Sequence, residues 1–327
     1  MQFKCVNCGG NVIYDPVKHA MVCESCNAVD SEELVKQERA YTCPSCGGQY
    51  TVNEYTSATK CDYCGSYNIV DEKIQYPYGP DLLIPFRFSK EQATELLRKE
   101  FKDRLFCPSD FLSTRTLENF KGEYVPFWLY SYNTHAVWDG IGTKVRTWVS
   151  GDTEYTETSK FQVYREMNID FKQVPVDASI PMPDKVMDLM EPYEYGDMVK
   201  FEPKYMSGYS AETYNLDPII LEPRAKEKIE KDTDTWIRDS ISGYTTVTAT
   251  RKNNVHTPSA REFAMLPIWK YTYRYRNKDF DYYINGQTGK VYGSMPKSIG
   301  KIWFTGLSFF AALSLLVLAL IQFVEVF

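Results

Sequence analysis

The 327-residue chain is 43% apolar and 24% charged, which is typical of a folded globular protein and excludes a wholly disordered one. With a net charge of −6, the chain lacks the overall positive field that draws most nucleic-acid-binding proteins onto a phosphate backbone. Because aromatic residues, which favour half-buried strands, make up 15% of the chain, we expect an α+β fold.

Eight of the nine cysteines form four CxxC pairs near the N-terminus. The first two pairs recur 38 residues further on, and Gly9-Gly10 recurs with them as Gly47-Gly48. Within each set 14 residues separate the two pairs, close to the spacing of four-cysteine zinc sites. The sequence therefore predicts two tandem zinc ribbons, residues 1–38 and 39–76, each holding one structural Zn²⁺. The predicted ligands are Cys5, Cys8, Cys23 and Cys26 in the first ribbon and Cys43, Cys46, Cys61 and Cys64 in the second.

Regularly spaced cysteines also occur in disulfide frameworks and in redox CxxC motifs. The N-terminus has neither the basic nor the apolar region of a secretory signal, and cytosolic thiols stay reduced, so a metal site is favoured over disulfides. Redox motifs of the thioredoxin type come singly and within a βαβ unit, which is not the pattern here. Four thiolates complete a zinc tetrahedron and leave no position for water, so we expect structural rather than catalytic metal.

The two predicted ribbons are acidic. Residues 1–76 contain six Lys or Arg and ten Asp or Glu, which gives a local net charge of −4. A surface that binds nucleic acid normally clusters basic residues among stacking aromatics, and this part of the sequence has no such cluster. Binding of nucleic acid by the ribbons is therefore not expected. His19 and Cys107 lie outside the cysteine pattern and are expected to be a surface imidazole and a buried thiol.

A turn-rich joint, PYGP, predicts the start of an α+β domain over residues 77–297. Its first elements are a short apolar strand over residues 81–88 and an amphipathic helix of about 16 residues. Ser89 and Gln92 form the S-x-x-Q pattern of a capping box at the start of this helix. Strand-forming aromatic residues follow over residues 123–133. The apolar stripe of the helix comprises Ala93, Leu96, Leu97, Phe101 and Leu105.

A similar order of elements returns later in the chain. Residues 217–241 predict an apolar run followed by a helix, with Pro223 suited to the first helical turn, and residues 265–275 predict a strand. The pattern PxWxYxY begins at Pro126 and again, 141 residues on, at Pro267. We interpret it as an internal duplication into two strand-helix-strand halves; a chance match over four positions is the alternative.

Antiparallel hairpins are predicted beside these halves. Residues 143–149 and 160–171 alternate in polarity with period two, which predicts a hairpin with one buried face. Residues 279–293 predict another hairpin, which turns at residues 285–289. The strand before it has a basic face, interpreted either as a contact for anionic lipid headgroups or as the solvated side of an amphipathic strand. This face consists of Lys270, Arg274 and Arg276.

The C-terminal part contains one apolar segment long enough to cross a membrane. Residues 302–323 run for 22 positions without a charge. At ~1.5 Å per residue they span roughly 33 Å, enough for the ~30 Å hydrocarbon core of a bilayer. The alternative is a buried core helix, which rarely shows so long an all-round apolar run. We therefore expect residues 298–327 to anchor the protein in the cell membrane.

The charges on either side of this segment predict its orientation. Lys290, Lys297 and Lys301 precede it, whereas Glu325 is the one charged residue after it. By the positive-inside rule the large N-terminal part faces the cytoplasm. The sequence thus predicts a single-pass protein with a C-terminal anchor.

The sequence contains no recognisable catalytic motif. Its three histidines, His19, His135 and His256, lie in unrelated contexts, and none of the patterns HExxH, GxSxG, Walker A or GxGxxG occurs. We therefore expect a protein that is not an enzyme. A pair of carboxylates that converge only in the folded chain stays open as an alternative.

Several segments together are similar to one known family. Besides the doubled cysteine repeat and the terminal apolar helix, they are YVPFWLYSY, PVDAS, EPYEYGDMVKFEPKYMSGYSAETY and LPIWKYTYRY. Over essentially the whole chain they resemble the YdjG-like family of bacterial zinc-ribbon membrane proteins, whose ribbons are of the transcription-factor-IIB type. The resemblance implies a membrane-bound adaptor that helps to recruit a phage-shock protein A homologue and an SPFH-type protein to stressed membrane.

Two hypotheses follow from these features. The favoured one is a membrane-anchored, zinc-binding adaptor or scaffold that binds protein partners and the lipid bilayer and does no catalysis. The alternative is a membrane-tethered regulator that binds nucleic acid through its zinc ribbons. The alternative predicts an affinity for DNA or RNA that falls steeply with salt concentration.

Overall fold

The computed structural model of the protein describes residues 2–35, 42–49, 55–70, 79–113 and 116–326. Within these residues the chain forms a mixed α+β fold with four α-helices and fourteen strands. The strands are β1 (Gln2–Cys5), β2 (Val12–Asp15), β3 (Ala20–Cys23), β4 (Glu32–Val35), β5 (Thr56–Lys60), β6 (Tyr67–Ile69), β7 (Leu82–Leu83), β8 (Phe120–Ser150), β9 (Thr153–Asp177), β10 (Val199–Lys200), β11 (Ser210–Glu212), β12 (Thr246–Tyr275), β13 (Lys278–Asn285) and β14 (Val291–Gly293). The helices are α1 (Lys90–Phe101), α2 (Asp184–Met190), α3 (Pro218–Asp239) and α4 (Ile299–Val326). The predicted domain boundaries after residues 38 and 76 lie outside the described ranges.

Most strands join one ten-stranded sheet built around β8 and β12. These two strands pair antiparallel, from Phe120 opposite Tyr271 to Thr143 opposite Thr246. The order along the sheet is β10-β7-β12-β8-β11-β5-β6, with β9 paired to β8 and with β13 and β14 beyond β12. Both central strands are rich in aromatic and β-branched side chains, which pack well on a pleated surface.

β8 and β12 meet their neighbours at corresponding positions. Val125 of β8 lies opposite Leu266 of β12, and these two residues are 141 positions apart. β8 and β12 each pair with one short parallel strand and with one antiparallel hairpin strand. The paired positions on β12 lie 141 residues after those on β8. The short strand β11 pairs with Glu123 and Tyr124 of β8, and the short strand β7 pairs with Ala264 and Met265 of β12. The hairpin strand β9 pairs with β8 from Phe127 onwards, and the hairpin strand β13 pairs with β12 from Ile268 onwards.

Two tryptophans hold the starts of α1 and α3 against the sheet. Trp128 Nε1 of β8 donates to Leu216 O at 3.2 Å, and Leu216 immediately precedes the N-cap of α3. Trp269 Nε1 of β12 donates to Phe88 O at 3.1 Å, and Phe88 immediately precedes the N-cap of α1. The two tryptophans occupy the same place in the PxWxYxY pattern.

Helix α1 begins as predicted and ends earlier. Gln92 N donates to Ser89 Oγ at 3.3 Å and Ser89 N donates to Gln92 Oε1 at 3.0 Å, which confirms the capping box. The helix is 12 residues long and ends at Phe101, so Leu105 does not belong to it and is 65% exposed. After Phe101 the chain continues in turns, in which Arg104 N donates to Phe101 O at 3.2 Å.

Helix α3 begins earlier than predicted. Asp217 caps it by accepting a hydrogen bond from Ile219 N at 2.8 Å, and Pro218 takes the first helical position. The apolar run at residues 219–221 therefore belongs to the first turn of the helix, and Pro223 lies inside the helix. The start was misplaced because both prolines suit a first turn, but only Pro218 follows a residue that caps.

Both faces of the central sheet are covered. One face carries the largest hydrophobic cluster, in which Tyr124 and Tyr271 pack with side chains of α1, of α3 and of the N-terminal strands. The other face carries Phe127 and Leu266, which pack with Met187 and other residues of α2. The core therefore lies where β8 and β12 pair, and the N-terminal cysteine-containing segment contributes to it.

One end of the sheet extends well beyond this core. We call this extension the arm; it comprises residues 133–150 of β8, 153–170 of β9 and 246–257 of β12. The strands predicted at 123–133 and 143–149 are parts of the single strand β8, which pairs with β9 as the predicted hairpin. Because β12 begins opposite Thr143, the part beyond that residue is a two-stranded ribbon. We call this ribbon the tip.

The prediction of one buried face for this hairpin is wrong at the tip. Residues 144–150 and 153–158 are all exposed, although polarity alternates over residues 143–149 as predicted. Only the base of the arm is covered, where Ile237 of α3 packs with Ala136, Trp138 and Val163. Since α3 ends at Asp239, no helix among the described residues covers either face of the tip.

The predicted C-terminal hairpin is present. β13 pairs antiparallel with β14, and the turn at residues 285–289 contains Gly289 with a φ of +75°. On the neighbouring strand β12, Lys270 and Arg274 lie on the face opposite the buried Tyr271, as predicted. The prediction is wrong for Arg276, because β12 ends at Tyr275 and Arg276 lies in the following turn with a φ of +50°. A contact of this basic face with lipid headgroups stays a prediction.

Helix α4 is the one helix in the described part of the chain that is long and apolar enough to cross a membrane. The candidate span, Ile299–Val317, covers 19 residues, and none of it is buried against the rest of the protein. The alternative, a core helix of a soluble protein, would be covered by other elements. The exposure of α4 therefore favours the predicted membrane segment.

Candidate metal centres

The structure brings the eight predicted ligands together as two groups of four. Within each group the sulfur atoms all lie within 4.8 Å of one another. In a tetrahedral zinc site with Zn–S bonds of ~2.3 Å, neighbouring sulfur atoms are about 3.8 Å apart. Both groups therefore fit around one tetrahedral metal ion. Sulfur–sulfur distances within the groups include 3.7 Å for Cys5–Cys26, 3.5 Å for Cys8–Cys23, 3.5 Å for Cys43–Cys64 and 3.8 Å for Cys46–Cys61.

The same tight turn follows the first cysteine of every CxxC pair. The N–H of that cysteine donates to the carbonyl five residues later, and the N–H four residues later donates back to the carbonyl of the cysteine, at 2.8–3.0 Å. The residue that donates back has a positive φ in all four turns, which glycine adopts without strain and asparagine tolerates. These residues are Gly9, Asn27, Gly47 and Gly65, with φ of 70°, 58°, 70° and 74°.

Short strands carry the cysteines into position. We call residues 2–35 the first unit and the described residues 42–49 and 55–70 the second unit. In the first unit Cys5 ends β1 and Cys23 ends β3; in the second unit Cys61 directly follows β5. The first cysteine of every pair is buried and the second is exposed. Each cluster therefore lies at the surface of its unit, with two sulfur atoms facing inward.

Four sulfur atoms this close together cannot all be ionised without a cation beside them. A hydrogen bond with the Ser31 hydroxyl is the main cause that lowers the pKa of Cys5 to about 6. The amide of Gly10 lowers the pKa of Cys8, but the neighbouring sulfur atoms, that of Cys26 above all, outweigh it and raise this pKa to about 12. A divalent cation removes the conflict, because it binds all four ligands as thiolates.

Each cluster can hold one metal ion through four thiolates. Backbone amides support the sulfur atoms, since Ser25 N donates to Cys23 Sγ and Gly48 N donates to Cys46 Sγ, both at 3.4 Å. Such bonds orient the ligands and reduce the negative charge on sulfur. A site closed by four sulfur ligands offers no position for a reacting water molecule, so this arrangement stabilises structure rather than catalyses a reaction.

Sequence reasoning missed Gln2, which joins the two units. Its side chain is 2% exposed, and Nε2 donates to Cys43 Sγ at 3.7 Å and to Ser66 Oγ at 3.2 Å. Ser45 Oγ donates in turn to Gln2 Oε1 at 2.9 Å, and Asn68 also accepts from Gln2. The first strand of the first unit thus supplies a hydrogen bond to a ligand of the second cluster.

Both units are bound to the central sheet. In the second unit β5 pairs antiparallel with β11, with Ala58 opposite Ala211. In the first unit Tyr14 N donates to Ser207 O at 3.0 Å, and its own carbonyl accepts from Tyr209 Oη at 3.3 Å. The two metal clusters are therefore attached to the α+β body and not only tethered to it through the chain.

The other residues singled out in the sequence lie away from the clusters. His19 is exposed, as predicted, and Cys107 is only partly buried, although burial still raises the pKa of its thiol. His256 lies on the arm, where its Nε2 is 2.8 Å from a carboxylate oxygen of Glu230 and its Nδ1 is 2.8 Å from Thr134 Oγ1. None of the three belongs to a four-cysteine group.

Comparison with known proteins identifies a relative of the chain. The chain is 35% identical to the uncharacterized protein YdjG of Bacillus subtilis (strain 168) over 328 residues, which cover 94% of each chain. No protein-family model matches the chain, and no solved structure matches it. At this identity over nearly the full length of both proteins, the chain belongs to the YdjG family.

Proposed function

We propose that the protein is a membrane-anchored, non-catalytic adaptor that presents a docking surface to protein partners in the cytoplasm. The observation that carries this proposal is the arm, whose tip exposes apolar side chains on both faces. Exposed apolar patches are rare on monomeric proteins and usually mark a site of interaction. The metal clusters and α4 then have supporting roles, which are to hold the body folded and to keep it at the membrane.

The tip has the composition of an interaction surface. On one face Val145 and Val149 are 44% and 69% exposed. On the other face Trp148 stacks on Tyr155 with ring centroids 5.6 Å apart, and the Arg146 guanidinium lies 5.6 Å from the Trp148 ring. Trp, Tyr and Arg are the residues that most often dominate binding energy between proteins. We infer that partners bind here through an aromatic and basic face or through the valine face behind it.

The tip also lies far from α4. Ser298, just before α4, donates its N–H to Phe106 O at 2.8 Å, and the neighbouring Cys107 packs into the cluster that contains Tyr271. Tyr271 pairs with Phe120, the first residue of β8, whereas the tip is at the last residues of that strand. β8 has 31 residues, and at ~3.3 Å per residue it spans roughly 100 Å. A surface at that distance is accessible to partners that do not themselves touch the bilayer.

We further propose that the central sheet arose by internal duplication. The register of β8 and β12 and the matching bonds of Trp128 and Trp269 support this, because both repeat with the 141-residue shift of the PxWxYxY pattern. The hairpin of β12 and β13 ends at Tyr275, whereas the corresponding hairpin of β8 and β9 continues to Ser150. The tip, which β8 and β9 form alone, then belongs to one half, as expected for a feature that one half acquired for a function of its own.

We propose Zn²⁺ as the metal and a zinc ribbon as the type of each unit. Four thiolates at tetrahedral distances favour zinc over the oxygen-bound metals Mg²⁺ and Ca²⁺. Each unit is small, and zinc bound to four cysteines supplies about 10–16 kcal/mol of apparent binding free energy, which replaces a core of its own. The acidic residues around both clusters argue against nucleic acid as the ligand of the ribbons.

We propose that α4 anchors the protein in the cell membrane with the rest of the chain in the cytoplasm. The support is the exposed apolar surface of α4 and the three lysines that precede its uncharged segment. The nature of the partners is taken from the resemblance to the YdjG-like family, which suggests a phage-shock protein A-like protein and an SPFH-type protein. This would place the adaptor in a response to membrane stress.

Elemental analysis and membrane extraction of the purified full-length chain test the anchored, metal-containing body. We expect two zinc ions per chain, and we expect the protein to stay with the membrane fraction through a carbonate wash. Recovery of the intact chain in the soluble fraction would contradict the anchor. Metal-free protein that is nevertheless fully folded would contradict the structural role of zinc.

A further inference from the structure

The loop that follows α1 contacts the start of α4. We call residues 102–107 the contact loop. Phe106 O accepts from Ser298 N at 2.8 Å, and Cys107 O accepts from Lys301 Nζ at 2.7 Å. Lys301 N also donates to Ser298 Oγ at 3.4 Å, so the residue that caps α4 is the one that binds the loop. The contact loop therefore lies beside the point where the apolar segment begins.

The contact loop exposes a leucine beside the start of the apolar segment. Leu105 is 65% exposed, whereas Phe101 before it and Cys107 after it pack into the largest hydrophobic cluster. Cys107 N donates to Arg104 O at 3.0 Å, which closes the loop into a turn with Leu105 on its outer side. On α4, Trp303 is 75% exposed and lies two positions after Lys301. Leucine and tryptophan at this depth are typical of side chains that enter the interfacial region of a bilayer.

Basic residues are concentrated in the sequence around the contact loop and the start of α4, although Arg104 Nη2 also lies 3.4 Å from Glu100 Oε1. Residues 99–107 and 297–301 together contain five Lys or Arg and two Asp or Glu, a local charge of +3 on a chain whose net charge is −6. Positive charge concentrated at the start of a membrane helix complements the negative potential of a cytoplasmic leaflet that contains anionic lipids. The basic residues are Lys99, Lys102, Arg104, Lys297 and Lys301.

We propose that the contact loop is a second membrane contact, in which Leu105 enters the interfacial region and the basic side chains around it bind anionic phospholipid headgroups. This inference rests on the proposed anchoring by α4. Two contacts restrict the tilt of the body more than a single helix does. The contact loop therefore helps to hold the body in one orientation, with the tip of the arm directed away from the bilayer.

Fluorescence of the full-length chain in vesicles tests this contact. An environment-sensitive fluorescent amino acid replaces Leu105, and the chain is reconstituted into vesicles of phosphatidylcholine alone or of phosphatidylcholine and phosphatidylglycerol in equal amounts. Lipids brominated in the acyl chain serve as the quencher. Matched variants carry the same fluorophore at Val149, which is 69% exposed at the tip, and at Leu313 within α4.

We expect quenching at positions 105 and 313 and none at position 149. Quenching at 105 is expected to increase with phosphatidylglycerol, and the double substitution Lys102→Gln/Arg104→Gln is expected to abolish that increase. Quenching at 313 without quenching at 105 would overturn the second contact and leave the anchor standing. Absence of quenching at both positions would overturn the anchor itself. Equal quenching at 105 in the two kinds of vesicle would overturn the assignment to anionic headgroups.

Discussion

At the scale of single residues, Gln2 has the most specific role outside the eight cysteines. It reaches Cys43 Sγ from a different unit, across 41 positions of the sequence. The 38-residue shift that relates the cysteines takes Gln2 onto Ala40, so the repeat contains no sign of this contact. The ligands were predictable because their chemistry and spacing are local, whereas a hydrogen bond between two units depends on how the folded units pack.

Substitution of Gln2→Leu is expected to weaken the second cluster only. The change removes the N–H···S bond to Cys43 and leaves the buried Asn68 without this partner. Loss of such a supporting bond typically weakens metal binding about tenfold or more, so zinc release to a chromogenic chelator should show one accelerated phase and one unchanged phase. Gln49→Leu, which alters an exposed glutamine of the second unit, is the control. Identical release from both variants and from the unsubstituted protein would rule out this role for Gln2.

Asp177 predicts a pH dependence of stability. Its carboxylate is buried 2.7 Å from Arg224 Nη1, and burial raises its pKa to about 6 despite that ion pair. Ionisation of Asp177 therefore lowers the free energy of unfolding. This loss is complete above pH 6 and decreases as the pH falls towards the pKa of aspartate in the unfolded chain, ~3.9. Asp177 pairs with Phe127 of β8, and the fully buried Asn285 pairs with Ile268, the residue of β12 that is 141 positions further on. An uncharged asparagine therefore occupies the position beside β12 that corresponds to Asp177.

Asp177→Asn is accordingly expected to raise the free energy of unfolding at pH 7.5 by up to about 3 kcal/mol, with roughly half of that gain left at pH 5. Denaturant titration of the detergent-solubilised protein at the two pH values measures the difference. Asp188→Asn is the matched control and is expected to destabilise at pH 7.5. Burial raises the pKa of Asp188, but Lys228 and Arg224 outweigh burial and lower it. A gain for Asp177→Asn that is equal at both pH values would contradict the assignment.

At the scale of elements, the arm shows what sequence patterns could and could not predict. Aromatic residues predicted a strand over residues 123–133 and alternating polarity predicted another over residues 143–149, but nothing was predicted for the stretch between them, which contains Gly140 and Gly142. In the structure both glycines lie inside β8. A Cβ at Gly140 would come within 2.2 Å of the Trp138 ring and 2.5 Å of Thr248 O, so glycine is required there by close packing and not by a turn. Sequence alone does not distinguish these two uses of glycine.

The base of the arm depends on its contact with α3. Ile237 is 2% exposed and packs with Trp138 and Val163 beneath the arm. Ile237→Ala should lower the free energy of unfolding by about 2–5 kcal/mol, because it leaves a cavity in a small cluster. Hydrogen exchange should accelerate at residues 136–145 and stay unchanged near residue 127. Ile220→Ala on the same helix, where the side chain is 68% exposed, should change neither measurement. Uniform acceleration over the whole sheet would show that the arm does not open separately.

At the scale of the whole molecule, two four-cysteine clusters, a mixed α+β fold and one long apolar C-terminal helix were each predictable from local sequence patterns. Their assembly into one body was not, because it depends on contacts between distant segments such as the pairing of β5 with β11 and the bond from Tyr14 to Ser207. The sheet thus includes β5 and β6 of the second unit. We therefore expect a metal ion held by the four cysteines of that unit to stabilise this edge of the sheet.

Removal of metal tests this link. Treatment of the membrane-bound protein with a chelator should accelerate hydrogen exchange in β5 and in its partner β11, because the second unit loses the ion that holds its two turns together. The protein should remain in the membrane fraction, since α4 has no metal ligand. Unchanged exchange in β5 after complete loss of zinc would show that the second unit folds without its metal.

The most direct test of the adaptor proposal is site-specific photo-crosslinking from the tip of the arm. A photoreactive amino acid replaces Val149 in the full-length, membrane-bound protein, and the control variant carries it at Ile180, which is 62% exposed on the body. We predict a crosslink from position 149 to a phage-shock protein A-like or SPFH-type protein, none from position 180, and loss of the crosslink when Val145→Lys is added. No protein crosslink from position 149, or the same crosslink from both positions, would contradict the account.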